Sequence, residues 1–209
     1  MRKGSAIFFD FDGTIVDSER IIGAFMKKTF AHFGVAYPSL NLGSRGLPEA
    51  IRAATPEATP PQQAEMIEYA KARSLETLSD IGLIEGAYET LALLTKDYRL
   101  AMVTSRGRST TEMLLERHTL GKFFEIVVTR DEVSASKPDP EGILLALNSL
   151  RVPAGSAVYV GDAPADIQAA QAACVHSILI SKGTEDYGAD DRIEVIAQLP
   201  ALLQRLKLR

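Results

Sequence analysis

The stretch Ala6-Ile7-Phe8-Phe9-Asp10-Phe11-Asp12-Gly13-Thr14 decides how this chain is read. Four apolar residues in a row, without polar alternation, have the length and character of a strand buried on both faces, as in a parallel sheet. The run stops at Asp10. Asp10 and Asp12 stand two apart, so on extended chain they share a side, and Gly13 permits a tight turn beside a ligand. Open parallel sheets bind ligands at the carboxyl ends of their strands, which is where this acid pair falls.

Moving outward, further apolar runs recur at Leu100–Val103, Ile126–Val128, Ala157–Val160 and Ser177–Ile180. Helix-like stretches lie between them, from Tyr88 to Lys96, Ser109 to Arg117, Glu141 to Leu150 and Ala165 to Ala173, with a last one from Ile196 to Leu206. Strands alternating with helices of about ten residues indicate an α/β fold with a parallel sheet covered on both faces. The interval from Ser18 to Gly82 breaks the rhythm. Ile21, Ile22, Phe25, Met26, Phe30 and Phe33 recur at helical spacing, and Gly34 ends that helix. A loop rich in Gly, Ser and Pro leads to a second helical region from Pro61 to Leu78, and no strand is evident. The expected organisation is therefore a three-layer core over residues 1–17 and 83–209, with an all-helical insertion over 18–82 hinged near Val16–Ser18 and Asp80–Glu85.

The other strand ends supply Thr104 and Ser105, then Gly161 and Asp162 with Asp166 one helical turn on, while Lys137 precedes a helix start. An acid pair, a hydroxyl, an ammonium and a second acid cluster are what aspartyl phosphoryl transfer with a divalent metal needs. A phosphate ester repels a carboxylate nucleophile unless a cation held by oxygen ligands screens the charge. Lysine and N–H or O–H donors stabilise the remaining phosphoryl oxygens, and a second carboxylate can protonate the leaving oxygen and later deprotonate water.

These segments resemble the haloacid dehalogenase superfamily, in particular its phosphoglycolate phosphatase-like members with a helical cap. Asp10 to Ser18 is similar to its first motif, Thr104 to its second, Lys137-Pro138-Asp139-Pro140 to its third, and Gly161-Asp162 through Asp166 to its fourth. The order and spacing agree over nearly the whole chain. The resemblance implies a Rossmann-like core. It makes Asp10 the nucleophile and a metal ligand, and Asp12 the general acid/base with its backbone carbonyl on Mg²⁺. It puts Gly13, Thr104, Ser105 and Lys137 around the phosphoryl group, with Asp162 on the metal and Asp166 orienting that shell. The helical insertion becomes a cap that excludes water.

Three alternatives use similar residues. Dehalogenases of the superfamily lack an acid where Asp12 stands. Phosphate-receiving signalling domains are shorter and carry no helical insertion. Phosphosugar mutase caps open with a His and a Trp, whereas Asp17 is followed here by Ser18-Glu19-Arg20-Ile21-Ile22 and the chain has no Trp. The expected activity is Mg²⁺-dependent hydrolysis of a small phosphomonoester, with a pyrophosphatase or a mutase on the same core as the alternative. Gly43-Ser44-Arg45-Gly46 resembles a segment of the mutase caps, which makes Arg45 a candidate for binding a second anionic group of the substrate.

Bulk properties narrow the partners. The net charge of −4 over 209 residues, spread along the chain, argues against nucleic acid, and no run approaches the ~20 apolar residues of a membrane span. The single cysteine, Cys174, cannot form an internal disulfide and reads as a buried small apolar residue. A cytoplasmic monomer or weak homodimer acting on a small phosphorylated molecule is expected. His32, His118 and His176 stand apart from the motifs and read as packing or surface residues, Tyr159 and Phe8-Phe9 as core. Asp139 and Pro140 read as the N-cap and first residue of a helix.

Overall fold

The computed structural model describes residues 4–37 and 46–206. In chain order the elements are β1 (Ala6–Phe9), β2 (Val16–Asp17), α1 (Glu19–His32), α2 (Leu47–Ala54), α3 (Pro60–Glu76), β3 (Gly82–Leu83), α4 (Ala87–Leu94) and β4 (Arg99–Val103). They continue with α5 (Arg108–Arg117), β5 (Ile126–Val128), α6 (Glu141–Leu150), β6 (Ala157–Gly161), α7 (Pro164–Ala172), β7 (His176–Ile180), β8 (Asp191–Ile193) and α8 (Leu199–Leu206). Six strands form one parallel sheet in the order β5-β4-β1-β6-β7-β8. β1 lies between β4 and β6, so the strand order reverses beside it, the position at which such sheets open a ligand crevice.

All four residues of β1 are fully buried. Ile7 and Phe9 join Leu100, Met102, Val158 and Val160 on one face, packed against α4, α5 and α8 through Leu91, Leu114 and Leu202. Phe8 joins Ala101, Val103 and Tyr159 on the other, against α6 and α7 through Ile143, Leu147 and Ala170. This two-sided burial explains why the strand sequences show no polar alternation. The three layers expected from the sequence are present.

Helices α1, α2 and α3 carry their own apolar cluster, built from Phe25, Met26, Phe30, Ile51, Met66 and Ile67. Gly34 adopts φ +68° just after α1, the left-handed conformation that ends a helix cheaply. The expected loop between the two helical regions is corrected at Leu47–Ala54, which is helical: Pro48 lies in its first turn, Ala50 and Ile51 are buried, and Thr55 Oγ1 closes it on the Ile51 carbonyl at 2.7 Å. Arg45 lies outside the described residues. The segments read as hinges form a two-residue antiparallel pair, Val16 with Leu83 and Asp17 with Gly82.

Other departures are local. β8 was not expected, because Asp191-Arg192-Ile193 offers only one buried apolar residue. Cys174 is exposed, not buried: it follows α7 at φ +56°, and Ala173 and Val175 on either side fill the core instead. Pro140 rather than Asp139 occupies the cap of α6, while Asp139 Oδ1 accepts the Glu141 N–H at 2.9 Å. His32 stacks on Tyr69, His118 Nε2 meets the Ile81 carbonyl at 3.0 Å and His176 Nε2 meets Asp191 at 2.9 Å. No helix among the described residues is long and apolar enough to cross a membrane.

Candidate active site

The carboxyl ends of β1, β4 and β6 and the segment before α6 bring Asp10, Asp12, Thr104, Lys137, Asp162 and Asp166 to one edge of the sheet. Lys137 Nζ is the hub. It donates to Asp10 Oδ1 and to Asp166 Oδ1, each at 2.6 Å, and to the Tyr159 hydroxyl at 3.0 Å. Only 8% of Lys137 is exposed, so its charge is desolvated and matters electrostatically. Burial lowers its pKa, but Asp10 and Asp166 outweigh that and raise it well above the usual lysine value. The ammonium stays charged throughout the neutral range.

Asp10 shows the opposite balance. Burial and the charge of Asp166 push its carboxyl well above the ordinary range, against the pull of Lys137. Asp162 rises to about 7 through burial and Asp166, partly offset by the Thr14 hydroxyl that donates to it at 3.1 Å. One lysine is thus too little positive charge for three carboxylates. Oxygens of Asp10, Asp162 and Asp166 lie within 4.8 Å of one another. A hard divalent cation fits this donor set, since it takes carboxylate oxygens and supplies the missing charge. Asp166 already accepts Lys137 at Oδ1 and the Ala163 N–H at Oδ2, 3.0 Å, which suits it to orienting the site.

Two glycines make these approaches possible. A Cβ on Gly13, which sits at φ +79°, would lie 2.2 Å from Asp162 Oδ2, and one on Gly161 would lie 2.4 Å from Asp166 Cγ. Neither position has room for a side chain. Thr104 Oγ1 accepts the Arg106 N–H at 3.1 Å, and the neighbouring Ser105 Oγ is buried without a hydrogen-bond partner.

Asp12 is held by partners that the sequence reading did not single out. Arg106 Nε donates to Asp12 Oδ2 at 3.0 Å, its Nη2 binds Oδ1, and Ser18 Oγ donates to Oδ1 at 2.6 Å. Burial alone would raise the Asp12 carboxyl; Arg106 and Ser18 overcome it and hold the pKa below the ordinary value. Arg106→Met should therefore move the limb of the pH profile of kcat/KM that reports Asp12 upward by about one unit, the shift that losing a charge-assisted pair produces. Profiles of both proteins measured from acid to alkaline pH check this, and coincident limbs would remove Arg106 from the control of Asp12.

Residues of α1, α2 and α3 line a cavity of about 370 Å³ together with Asp10, Asp12, Thr104 and Lys137. Glu49 of α2 pairs with Arg130 of the core, Nε at 3.0 Å from each carboxylate oxygen.

Comparison with known proteins matches residues 7–180 to the family described as haloacid dehalogenase-like hydrolase. A phosphoglycolate phosphatase (plasmid) from Cupriavidus necator is 31% identical over 98% of this chain and 95% of its own length. The pyrophosphatase PpaX of Bacillus velezensis is 35% identical over 80% of this chain and 79% of its own. The crystal structure of CbbY from Rhodobacter sphaeroides in complex with phosphate superposes with a TM-score of 0.79 at 26% identity, covering 93% of this chain and 96% of that one.

Proposed function

The chain belongs to the haloacid dehalogenase-like hydrolase family, and from that premise we propose that it is a Mg²⁺-dependent phosphatase acting on a small phosphomonoester through Asp10. The observation that carries the reading is the convergence of Asp10, Lys137, Asp162 and Asp166 at one sheet edge, with Asp12 two residues beyond the nucleophile. The alternation of acids and lysine is what an anionic substrate and an anionic nucleophile need in common.

A bound divalent cation, held by Asp10, Asp162 and the Asp12 carbonyl, would keep the carboxylates ionised and screen the phosphate charge. The chain's own residues supply the rest. Asp10 attacks phosphorus, the ester P–O bond breaks, and the departing alkoxide takes its proton from Asp12, which must first be released from Arg106 to hold one. Thr104, the Ser105 amide and Lys137 hold the phosphoryl oxygens. Water then attacks the phosphorylated Asp10, Asp12 accepts the water's proton, and phosphate leaves. The insertion acts as a cap that limits solvent access. Release of phosphate from a panel of phosphomonoesters and pyrophosphate, with Mg²⁺ and with excess chelator, tests this. Full activity in chelator, or no release from any substrate, would sink the proposal. Pyrophosphate as the preferred substrate would favour the reading suggested by the PpaX relatives.

The acid cluster also makes a stability prediction. Asp162 has a folded pKa of about 7 against an ordinary 3.8. A raised carboxyl contributes stability that is present below the ordinary value and is lost as pH rises through the folded one. Mg²⁺ binds the deprotonated ligands, so it should raise Tm more at about pH 8 than at about pH 5. Thermal melts at the two pH values, with and without the metal, read this directly. An equal rise at both would place the cation elsewhere.

A further inference from the structure

We propose that the leaving group this cavity accepts is an uncharged alcohol with an apolar body, so that neutral alkyl or aryl monoesters are preferred over phosphorylated acids and pyrophosphate; this rests on the phosphatase reading. Two observations carry it. The roof is mostly apolar: Ile22, Phe25 and Met26 from α1, Leu47 and Ala50 from α2, and Leu75 from α3 line the cavity, with Lys71 and Ser74 of α3 as its polar members. At about 370 Å³ the space lies within the range that organic ligands of many atoms occupy.

The second observation concerns charge. Every lysine and arginine lining the cavity among the described residues already has a carboxylate partner. Lys71 pairs with Glu68 at 2.7 Å, Arg108 with Glu132 at 2.6 Å, Arg130 with Glu49, Arg106 with Asp12 and Lys137 with Asp10 and Asp166. At the amino end of α5, Asp131 Oδ2 already accepts the Arg108 N–H at 2.7 Å. A second anion on the substrate would compete with these carboxylates for the same donors. Opening the pair at Arg106 or Lys137 would leave a buried carboxylate uncompensated, whereas the exposed Lys71–Glu68 pair opens at little cost. An apolar body displaces only water from the roof.

Ethyl, butyl and hexyl phosphate have equal charge and similar leaving oxygens, so a comparison isolates the roof. With Mg²⁺ present, kcat/KM should climb by up to about fourfold per added methylene until the cavity is filled, and hexyl phosphate should exceed phosphoglycolate and pyrophosphate by at least about tenfold. In parallel, binding of the matching alkyl phosphonates to the Mg²⁺-loaded protein should tighten along the series by calorimetry. Tightening without turnover of any ester would refute the phosphatase reading and leave the cavity's preference standing. Turnover with a flat series, or with phosphoglycolate ahead, would overturn the present proposal alone. A preference for phosphoglycolate that Arg45→Ala abolishes would overturn it too, and assign the leaving group to Arg45.

Discussion

Asp10→Asn should lose turnover by on the order of 10⁴-fold or more while the protein folds as before. The amide keeps the volume of the carboxylate but has no lone-pair charge with which to attack phosphorus, so no covalent intermediate forms. Stability should hold or rise. Asp10 sits in a buried cluster with Asp166 and Asp162 beside it, and its carboxyl is already pushed well above its ordinary pKa. Removing that ionisation relieves like-charge repulsion, and Lys137 keeps Asp166 at 2.6 Å. Steady-state assays, melting curves and acid quenching of the wild type with a phosphate-labelled substrate check the three parts. Label should remain on Asp10 of the wild type and be missing from the variant. A variant retaining more than about a hundredth of the activity would mean that another group attacks.

The core was legible because it depends on patterns that burial enforces over many residues. β1, β4 and β6 are covered on both faces, so Phe8-Phe9 or Ala157–Val160 can be read as strands without any neighbour being known. The acid pair was legible for the same reason, since a strand that ends in Asp10 fixes where Asp12 and Gly13 stand. What escaped depends on tertiary neighbours or on very short elements. β8 is held by its ladder to β7 and has too few apolar residues to announce itself. α2 has eight residues beside a Gly- and Pro-containing stretch, and it is stabilised by burying Ala50 and Ile51 among the other helices.

The polar partners were the least legible. Arg106 and Asp12 are 94 positions apart, and nothing in either segment states that a guanidinium will grip that carboxylate. The available signal was position: Arg106 lies two residues past Thr104, at the same sheet edge as Asp12. Tyr159 shows the converse. Its complete burial made core the correct reading for the ring, yet its hydroxyl donates to the Val103 carbonyl at 3.0 Å and accepts from Lys137. A buried tyrosine must satisfy that oxygen, so the search for a partner could have begun from the sequence.

Lys137→Met should damage stability and catalysis together, and the two losses should respond differently to pH and metal. The lysine's ammonium is shared by Asp10 and Asp166, and all three are buried. Removing one partner of a buried charge cluster leaves the others uncompensated, at a cost of about 3–5 kcal/mol, which is a large part of the ~5–15 kcal/mol that holds a domain folded. The direction with pH follows from the carboxyls. Without the lysine the folded-state pKa of Asp10 rises further, so the destabilisation should shrink as pH falls and the acids take up protons, and grow toward alkaline pH. Mg²⁺ should restore part of the lost stability, because it brings positive charge back to the same carboxylates. It should not restore the rate. Lys137 also stabilises a phosphoryl oxygen in the proposed reaction, and removing one such preorganised donor costs about 10²–10³ in kcat. Urea titrations at two pH values with and without Mg²⁺, alongside kcat at saturating metal, separate the two roles. Recovery of both stability and rate by Mg²⁺ would reduce Lys137 to a counter-charge for the acid cluster. Loss of neither would remove it from the site.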